Sequence, residues 1–170
     1  MEKIKVYYGA GLFNEMELTY NKMLAEKIRT NDYLKDKIDM YVPQENEAIN
    51  DKSGYADSLM IAKGDTDMLK ETDILIAIMD GQIMDVGLAS EIGVAYAMGK
   101  SIIGLYSDTR QGTYGNNKKI EALEDIAESQ FSYINLYTVG LVKSRGVIVN
   151  TSDKLVEELE KKVKELLGDL

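Results

Sequence analysis

The residues of this sequence most suited to chemistry are carboxylates in one short stretch, DGQIMDVGLASEIG, at residues 80–93. Asp80 and Asp85 stand in a predicted loop, and Glu91 follows within a predicted helix. On a helical wheel Glu91 falls about 60° from Leu88, on the flank of an apolar stripe. No lysine or arginine stands three or four residues from Glu91 to pair with it. Glu91 is therefore either an exposed residue beside a partly buried face or a carboxylate held by groups distant in sequence.

The residues near Glu91 have ordinary structural explanations as well as functional ones. Asp85 is well placed to cap the predicted helix, and Asp80 precedes Gly81 in a typical turn. Small residues, Gly87 among them, leave little side-chain volume on the helix surface near Glu91, so a ligand could approach closely. Both kinds of explanation stay open at this level.

Composition limits the chemistry that these carboxylates can perform. The 170-residue sequence contains no cysteine and no histidine, which excludes thiolate chemistry, disulfides and histidine-based catalysis or metal binding. Carboxylates and tyrosines without such groups suit glycosidic bond chemistry, in which one carboxylate is the nucleophile and another the acid or base. We expect no metal and no cofactor.

The turn after the first predicted strand, GAG at residues 9–11, resembles a phosphate-binding loop but lacks its other features. Asn14 breaks the pattern GxGxxG, and no serine or threonine occurs from Gly9 to Glu15. A flavodoxin-like FMN site is therefore disfavoured. A phospho-accepting receiver domain is disfavoured as well, because YYG at the end of this strand supplies no acidic residue.

Charge and hydropathy limit the partners. The net charge of −9 disfavours a nucleic-acid partner, because a polyanion would be repelled over most of the surface. No run approaches the roughly 18 consecutive apolar residues of a membrane span, and MEKIKVYYGAG contains no long apolar segment. We expect no membrane partner and a soluble, cytoplasmic protein.

Short apolar runs alternate with longer helical patterns, which predicts βαβ units around a parallel sheet. The predicted strands are Ile4–Tyr8, Ile38–Val42, Ile74–Met79, Ile102–Tyr106 and Val147–Val149. The predicted helices are roughly Asn14–Thr30, Ser58–Glu71, Gly87–Gly99, Asn117–Glu128 and Ser152–Leu167. We predict one α/β domain over residues 1–170, with a doubly wound five-stranded parallel sheet in the order 2-1-3-4-5 and helices on both faces.

This topology predicts where the carboxylates lie. The predicted loops Pro43–Tyr55 and Ser107–Asn117 both follow strands, so they emerge at the carboxyl edge of the sheet. Ligands of open α/β sheets bind at this edge, near the point where the strand order reverses. That point lies between strand one, ending YYGAG, and strand three, ending MDGQIMD, so the acidic stretch lies where a site is expected.

The chain carries five motifs in a fixed order: YYGAGLF, YVPQEN, the pattern D-x-x-x-L-x-x-x-D from Asp65 to Asp73, MDGQIMDVGLASEIGVAYAMGK and INLYTVG. Together they make roughly residues 4–140 resemble the nucleoside 2-deoxyribosyltransferases. The most specific part is D-x-G-x-x-x-E-x-G followed by A-x-x-x-G-K. The resemblance implies transfer of 2-deoxyribose between nucleobases by double displacement.

The resemblance also implies roles for individual residues. Glu91 would be the nucleophile that attacks C1′ and forms a covalent deoxyribosyl-enzyme, and Tyr7 would orient it. Asp65 would handle the nucleobase and its proton, and Asp85 would hold base or sugar. Asn135 would hold the 5′-hydroxyl from a neighbouring subunit, which implies a homo-oligomer of at least two subunits. The remaining substrate-binding residues expected on this basis are Gly9, Gly11, Phe13, Asp80, Gly87 and Tyr137.

Two other functions stay open. A deoxynucleoside 5′-monophosphate N-glycosidase of the same superfamily would use the same nucleophile, with water as acceptor and a site for the 5′-phosphate. The loop GAGLF offers no hydroxyl for a phosphate, and Arg110 is the residue that keeps this hydrolase open, although a surface ion pair also explains it. The other alternative is a non-catalytic nucleoside- or nucleotide-binding module.

Overall fold

Five parallel strands form one sheet in the computed structural model, which describes residues 2–46 and 55–169. The strands are β1 (Ile4–Gly9), β2 (Ile38–Tyr41), β3 (Ile74–Ile78), β4 (Ser101–Leu105) and β5 (Gly146–Val149). Their order is β2-β1-β3-β4-β5, and every neighbouring pair is parallel. The predicted sheet and its order are confirmed, with strand ends that differ from the predicted ones by one residue.

Six α-helices connect or follow the strands in the described parts of the chain. They are α1 (Glu15–Arg29), α2 (Ser58–Glu71), α3 (Val86–Ala97), α4 (Lys118–Glu121), α5 (Leu136–Arg145) and α6 (Ser152–Leu167). Short 3-10 turns span Pro43–Glu45 and Ala122–Glu124. None of the helices that the structure describes is long and apolar enough to cross a membrane.

One hydrophobic layer covers each face of the sheet. On one face, side chains such as Val6 and Ile76 pack with Leu24 of α1 and Leu159 of α6. On the other face, the layer contains Tyr7 and Leu75 of the strands together with residues of three helices, namely Leu69, Leu88, Ile92, Ala95 and Val142. All five residues of β3 are buried, as expected for a central strand covered on both sides.

One predicted helix is wrong, and one helix of the structure was not predicted. The predicted helix Asn117–Glu128 is only the single turn α4 followed by the 3-10 turn, because its apolar residues Ile120, Leu123 and Ile126 are exposed and pack on no core. Helix α5 was not predicted, because its helical pattern is weak and only Thr138 and Val142 are buried along it.

The predicted loops have different outcomes. Residues 107–117 form an irregular loop, as predicted. The predicted loop Pro43–Tyr55 begins with the 3-10 turn, and most of it, residues 47–54, lies outside the described residues. The carboxyl ends of β1 and β3 lie side by side, with Gly9 of β1 in register with Ala77 of β3, so the loops that follow them meet at this edge.

Candidate active site

Glu91 is held by a residue that precedes it by 84 positions. The Tyr7 hydroxyl donates a hydrogen bond of 2.6 Å to Oε1 of Glu91. Tyr7 is fully buried in β1, and Glu91 projects from α3 toward the carboxyl end of that strand. Of the two explanations that the sequence left open for Glu91, the structure therefore supports a carboxylate held by a distant group.

Gly9 makes room for the other oxygen of Glu91. A Cβ atom on Gly9 would lie 2.8 Å from Oε2 of Glu91 and 2.8 Å from Cδ1 of Leu88, both closer than such atoms approach in folded proteins. A side chain at this position would displace the carboxylate. Gly9 is therefore needed for the Glu91 carboxylate to occupy its observed position.

The surroundings of Glu91 favour its neutral form. The pKa of Glu91 is raised to about 7, with burial as the largest cause; the carboxylates of Asp65 and Asp85 also act to raise it, whereas the Tyr7 hydrogen bond acts to lower it. None of the ion pairs among the described residues includes Glu91. The structure thus holds an acidic side chain without a cation in a position where its charge is poorly solvated.

A third ionisable residue beside Glu91 and Tyr7 is Asp65, which belongs to α2. It is partly buried, and burial raises its pKa, while a hydrogen bond with the Tyr7 hydroxyl acts in the opposite direction. The single Tyr7 proton is the one donated to Glu91 at 2.6 Å. The influence of the Tyr7 hydroxyl favours the ionised form of Asp65, against the effect of burial. Glu91, Tyr7 and Asp65 form the group called the Glu91 cluster below.

Asp85 and Asp80 have the structural roles that their sequence positions allow. Asp85 caps α3, since its Oδ1 accepts a hydrogen bond of 2.8 Å from the backbone of Leu88. Asp80 joins the ends of β3 and β4, because its carboxylate accepts bonds from the backbone N–H of Ser107 at 2.6 Å and from its hydroxyl at 2.8 Å. Gly87 lies against the cap, where a Cβ would be 2.9 Å from Oδ1 of Asp85.

A cavity of about 580 Å³ lies between the loops that follow β1 and β3. Gly11, Asp80 and Asp85 line it, as do Glu17 and Asn21 of α1, whereas the Glu91 cluster lies outside its lining. The described residues that line it include three carboxylates and no lysine or arginine. The cavity is therefore acidic and lies beside the Glu91 cluster, not around it.

The loop after β1 is fixed by hydrogen bonds to α1. Glu17 accepts a bond of 2.7 Å from the backbone of Phe13, and a Cβ on Gly11 would lie 2.9 Å from the Glu17 carboxylate. The buried Asn21 donates to the backbone oxygen of Gly11 at 2.8 Å. Phe13 itself is 80% exposed, and its contact with substrate stays a prediction.

No hydrogen bond that the structure describes joins Asn135 or Tyr137 to the Glu91 cluster of their own chain. Asn135 caps α5 by accepting bonds from the backbone of Tyr137 at 2.9 Å and of Thr138 at 3.5 Å. The side chains of Leu136 and Tyr137 are exposed. The Asn135 cap is also the sequence signal that would have located the start of α5.

Tyr41 is a neighbour of the cluster that sequence reasoning missed. It ends β2 in register with Tyr7, and the two ring centroids are 5.3 Å apart with the planes inclined by 50°. Its hydroxyl oxygen accepts a bond of 3.0 Å from Nδ2 of Asn46. The motif YVPQEN contains both residues and was the available signal.

Arg110 is engaged by a carboxylate two residues away. Its Nε donates to both oxygens of Asp108, at 3.0 and 3.2 Å, and a terminal nitrogen donates to the same carboxylate. The guanidinium holds the pKa of Asp108 to about 2, below its usual range. Of the two roles considered for Arg110, the structure supports the surface ion pair.

Among the described residues, no group of three or more acidic side chains could hold a metal ion.

The chemistry that the Glu91 cluster supports is attack by a carboxylate on an electrophilic carbon. Glu91 can supply the nucleophile, Tyr7 can orient it and Asp65 can carry a proton.

Comparisons with known proteins found relatives in one family. The family model described as Nucleoside 2-deoxyribosyltransferase matches residues 6–157 of the chain. A nucleoside deoxyribosyltransferase of Lactobacillus leichmannii is 27% identical over 120 residues, which are 66% of this chain and 76% of that protein.

Solved structures have the same fold. A conserved protein from Enterococcus faecalis V583 is 49% identical, with a TM-score of 0.88 over 95% of this chain and 99% of that one. A 2-deoxyribosyltransferase from Leishmania mexicana has a TM-score of 0.60 at 18% identity, over 93% of this chain and 97% of that one. At that identity the second likeness concerns the fold alone.

Proposed function

The chain belongs to the nucleoside 2-deoxyribosyltransferase family, and on this basis we propose that it transfers 2-deoxyribose from a deoxynucleoside to a free nucleobase. Members of the family act on N-glycosidic bonds, with nucleosides and nucleobases as substrates. The observation that carries the proposal is the Glu91 carboxylate, which is partly buried, is held by Tyr7 and has no ion-pair partner among the described residues.

The proposed reaction has two displacements. The Glu91 carboxylate attacks C1′ of the deoxyribose while the N-glycosidic bond breaks, and the bonding electrons leave with the base nitrogen. A proton on Asp65 passes to the departing base, and a deoxyribosyl ester on Glu91 remains. The acceptor base then attacks C1′, loses its N–H proton to Asp65 and releases Glu91.

The environment of Glu91 suits this reaction because the transition state at C1′ carries positive charge. A desolvated carboxylate without a local cation interacts weakly with its surroundings in the free enzyme. It gains a cationic partner only as the glycosidic bond breaks, so the stabilisation is greater in the transition state than in the ground state.

The acidic cavity favours a nucleoside over a nucleoside 5′-monophosphate. A phosphate dianion would meet Glu17, Asp80 and Asp85 with no basic side chain among the described lining residues. Arg110 is already held by Asp108. These observations support the transferase and disfavour the N-glycosidase that hydrolyses nucleotides.

We further propose that Asn135 and Tyr137 act in a neighbouring subunit of a homo-oligomer. No described hydrogen bond joins these residues to the Glu91 cluster, and the adjacent residues Leu136 and Tyr137 are 80% and 76% exposed. Large apolar side chains that are exposed in one subunit are candidates for contact with another.

The experiment that tests the proposal incubates the protein with deoxyinosine and free adenine, and in a parallel reaction with dGMP alone. Deoxyadenosine formed in the first mixture supports the transferase. Guanine released only in the second would instead assign a nucleotide hydrolase, and no product in either would favour a binding module.

The covalent step is tested with Glu91→Gln, which preserves the shape of the side chain but is not a nucleophile. We expect this variant to lose exchange while remaining folded. A wild-type sample quenched in acid during turnover should contain a peptide with Glu91 that is heavier by one deoxyribosyl group. Near wild-type exchange by Glu91→Gln would overturn the nucleophile assignment.

A further inference from the structure

Tyr41 is a second phenol at the Glu91 cluster. It ends β2 opposite Tyr7 on β1, and residues in register on adjacent parallel strands point to the same face of a sheet. The rings are in contact, with centroids 5.3 Å apart, and both belong to the hydrophobic layer beneath α2 and α3. Tyr41 therefore adjoins the residue that orients the nucleophile.

The hydroxyls of Tyr7 and Tyr41 form different hydrogen bonds. Tyr7 donates its proton to Glu91. The Tyr41 oxygen instead accepts a bond of 3.0 Å from Asn46, and no acceptor among the described residues takes the Tyr41 proton. A partly buried hydroxyl proton without an acceptor is costly in a folded protein, and a bound ligand is one way to satisfy it.

Charge keeps this hydroxyl in its donor form. Burial raises the pKa of Tyr41, and the carboxylates of Asp65 and Glu91 raise it further, although the bond from Asn46 lowers it. The Tyr41 ring packs on the ring of Tyr7, whose hydroxyl is bonded to Glu91. At neutral pH the Tyr41 hydroxyl is a neutral hydrogen-bond donor beside the reacting groups.

The proposed function, on which this inference rests, indicates what the ligand is. With C1′ at Glu91, the leaving base lies toward Asp65, and negative charge develops on that base as the glycosidic bond breaks. Purines and pyrimidines share one feature here: an acceptor atom, N3 or O2, bonded to a carbon that neighbours the glycosidic nitrogen. We propose that the Tyr41 hydroxyl donates a hydrogen bond to this acceptor and stabilises the departing base.

The test compares two substrates in two enzymes. The substrates are 2′-deoxyadenosine and its 3-deaza analogue, in which a C–H group replaces N3, with the same acceptor base in each reaction. Tyr41→Phe keeps the ring that packs on Tyr7 and removes only the hydroxyl. We expect Tyr41→Phe to lower kcat/KM for 2′-deoxyadenosine by about 10- to 100-fold and to leave kcat/KM for the analogue almost unchanged.

The control is Tyr96→Phe, which removes a phenol from the far end of α3 and should leave both rates unchanged. An equal loss on both substrates in Tyr41→Phe would show that the hydroxyl does not contact N3 and would overturn the inference. Absence of exchange by the wild-type protein with 2′-deoxyadenosine would overturn the proposed function, and this inference with it.

Discussion

At the scale of single residues, the position of Glu91 determines its acidity. A carboxylate with a pKa of about 7 is roughly half ionised at neutral pH, whereas an exposed glutamate is almost fully ionised. Only the ionised form can attack C1′. The Tyr7 hydrogen bond is the described interaction that lowers this pKa, so Tyr7 increases the active fraction as well as orienting the side chain.

The first prediction is a pH profile. Because the ionised form of Glu91 is the active one, kcat/KM should fall as the pH drops through about 7. Tyr7→Phe removes a hydrogen bond that favours the ionised form, so its acid limb should move to higher pH by about one unit or more. Rates of base exchange between pH 5 and 9 give the acid limb of the wild-type protein and that of Tyr7→Phe. An unchanged limb in Tyr7→Phe would contradict this role of Tyr7.

The second prediction concerns the close approach of Gly9 to Glu91. Gly9→Ala should lower base exchange by at least about tenfold and destabilise the fold by about 1–3 kcal/mol, because the new Cβ cannot occupy the space taken by Oε2 of Glu91 and by Leu88. Exchange rates and urea unfolding measure the two effects.

Gly93→Ala is a matched control on α3, since a Cβ there would have no atom within 4 Å. This variant should keep wild-type exchange and gain helix stability. Wild-type exchange by Gly9→Ala would show that Glu91 acts from a different position.

At the scale of elements, α3 holds the site through its N-terminal cap and its first two turns. Its cap Asp85 lines the acidic cavity, and Glu91 follows on the same helix, so one helix supplies both residues. Helix α2 adds Asp65, and β1 adds Tyr7 and Gly9. The cluster thus depends on the packing of two helices against one strand.

The third prediction separates the two roles proposed for Asp85. Asp85→Asn keeps an oxygen that can cap α3 but removes the charge, so its unfolding free energy should stay near that of the wild type while base exchange falls by about tenfold. Asp85→Ala should lose about 1 kcal/mol of stability in addition. Urea unfolding and exchange rates give both quantities. Full activity of Asp85→Asn would limit Asp85 to its capping role.

At the scale of the whole molecule, charge and assembly decide which substrates can bind. The net charge of −9 and the acidic cavity repel anionic substrates, and the basic side chain in the loop after β4 is held in an ion pair. Leu136 and Tyr137 at the start of α5 are exposed, and in the proposed assembly a second subunit covers this surface and completes the site.

The fourth prediction tests that assembly. Asn135→Ser keeps a capping oxygen for α5 but removes the amide, so the subunit should fold and bind deoxynucleosides weakly. Co-expression of Asn135→Ser with Glu91→Ala, under two different affinity tags, should give hybrid oligomers with more exchange activity than either variant alone. No recovery in hybrids that carry both tags would show that each site is built within one chain.

The sequence by itself determined the sheet, its strand order and the kind of chemistry available. Apolar runs such as ILIAIM and the absence of cysteine and histidine are local or compositional properties, which are readable without coordinates. The motif containing Glu91 identified the family, which the family model confirmed. Weak helical patterns such as that of α5 were missed because few of its residues are buried.

Only the tertiary structure decided which residues meet. The bond from Tyr7 to Glu91, the fit of that carboxylate against Gly9 and the contact of Tyr41 with Tyr7 all join residues far apart in sequence. They depend on the register of adjacent strands and on how a helix packs over them. For the same reason the pKa of Glu91 could not be predicted from sequence, because burial, its largest cause, is a property of the packed chain.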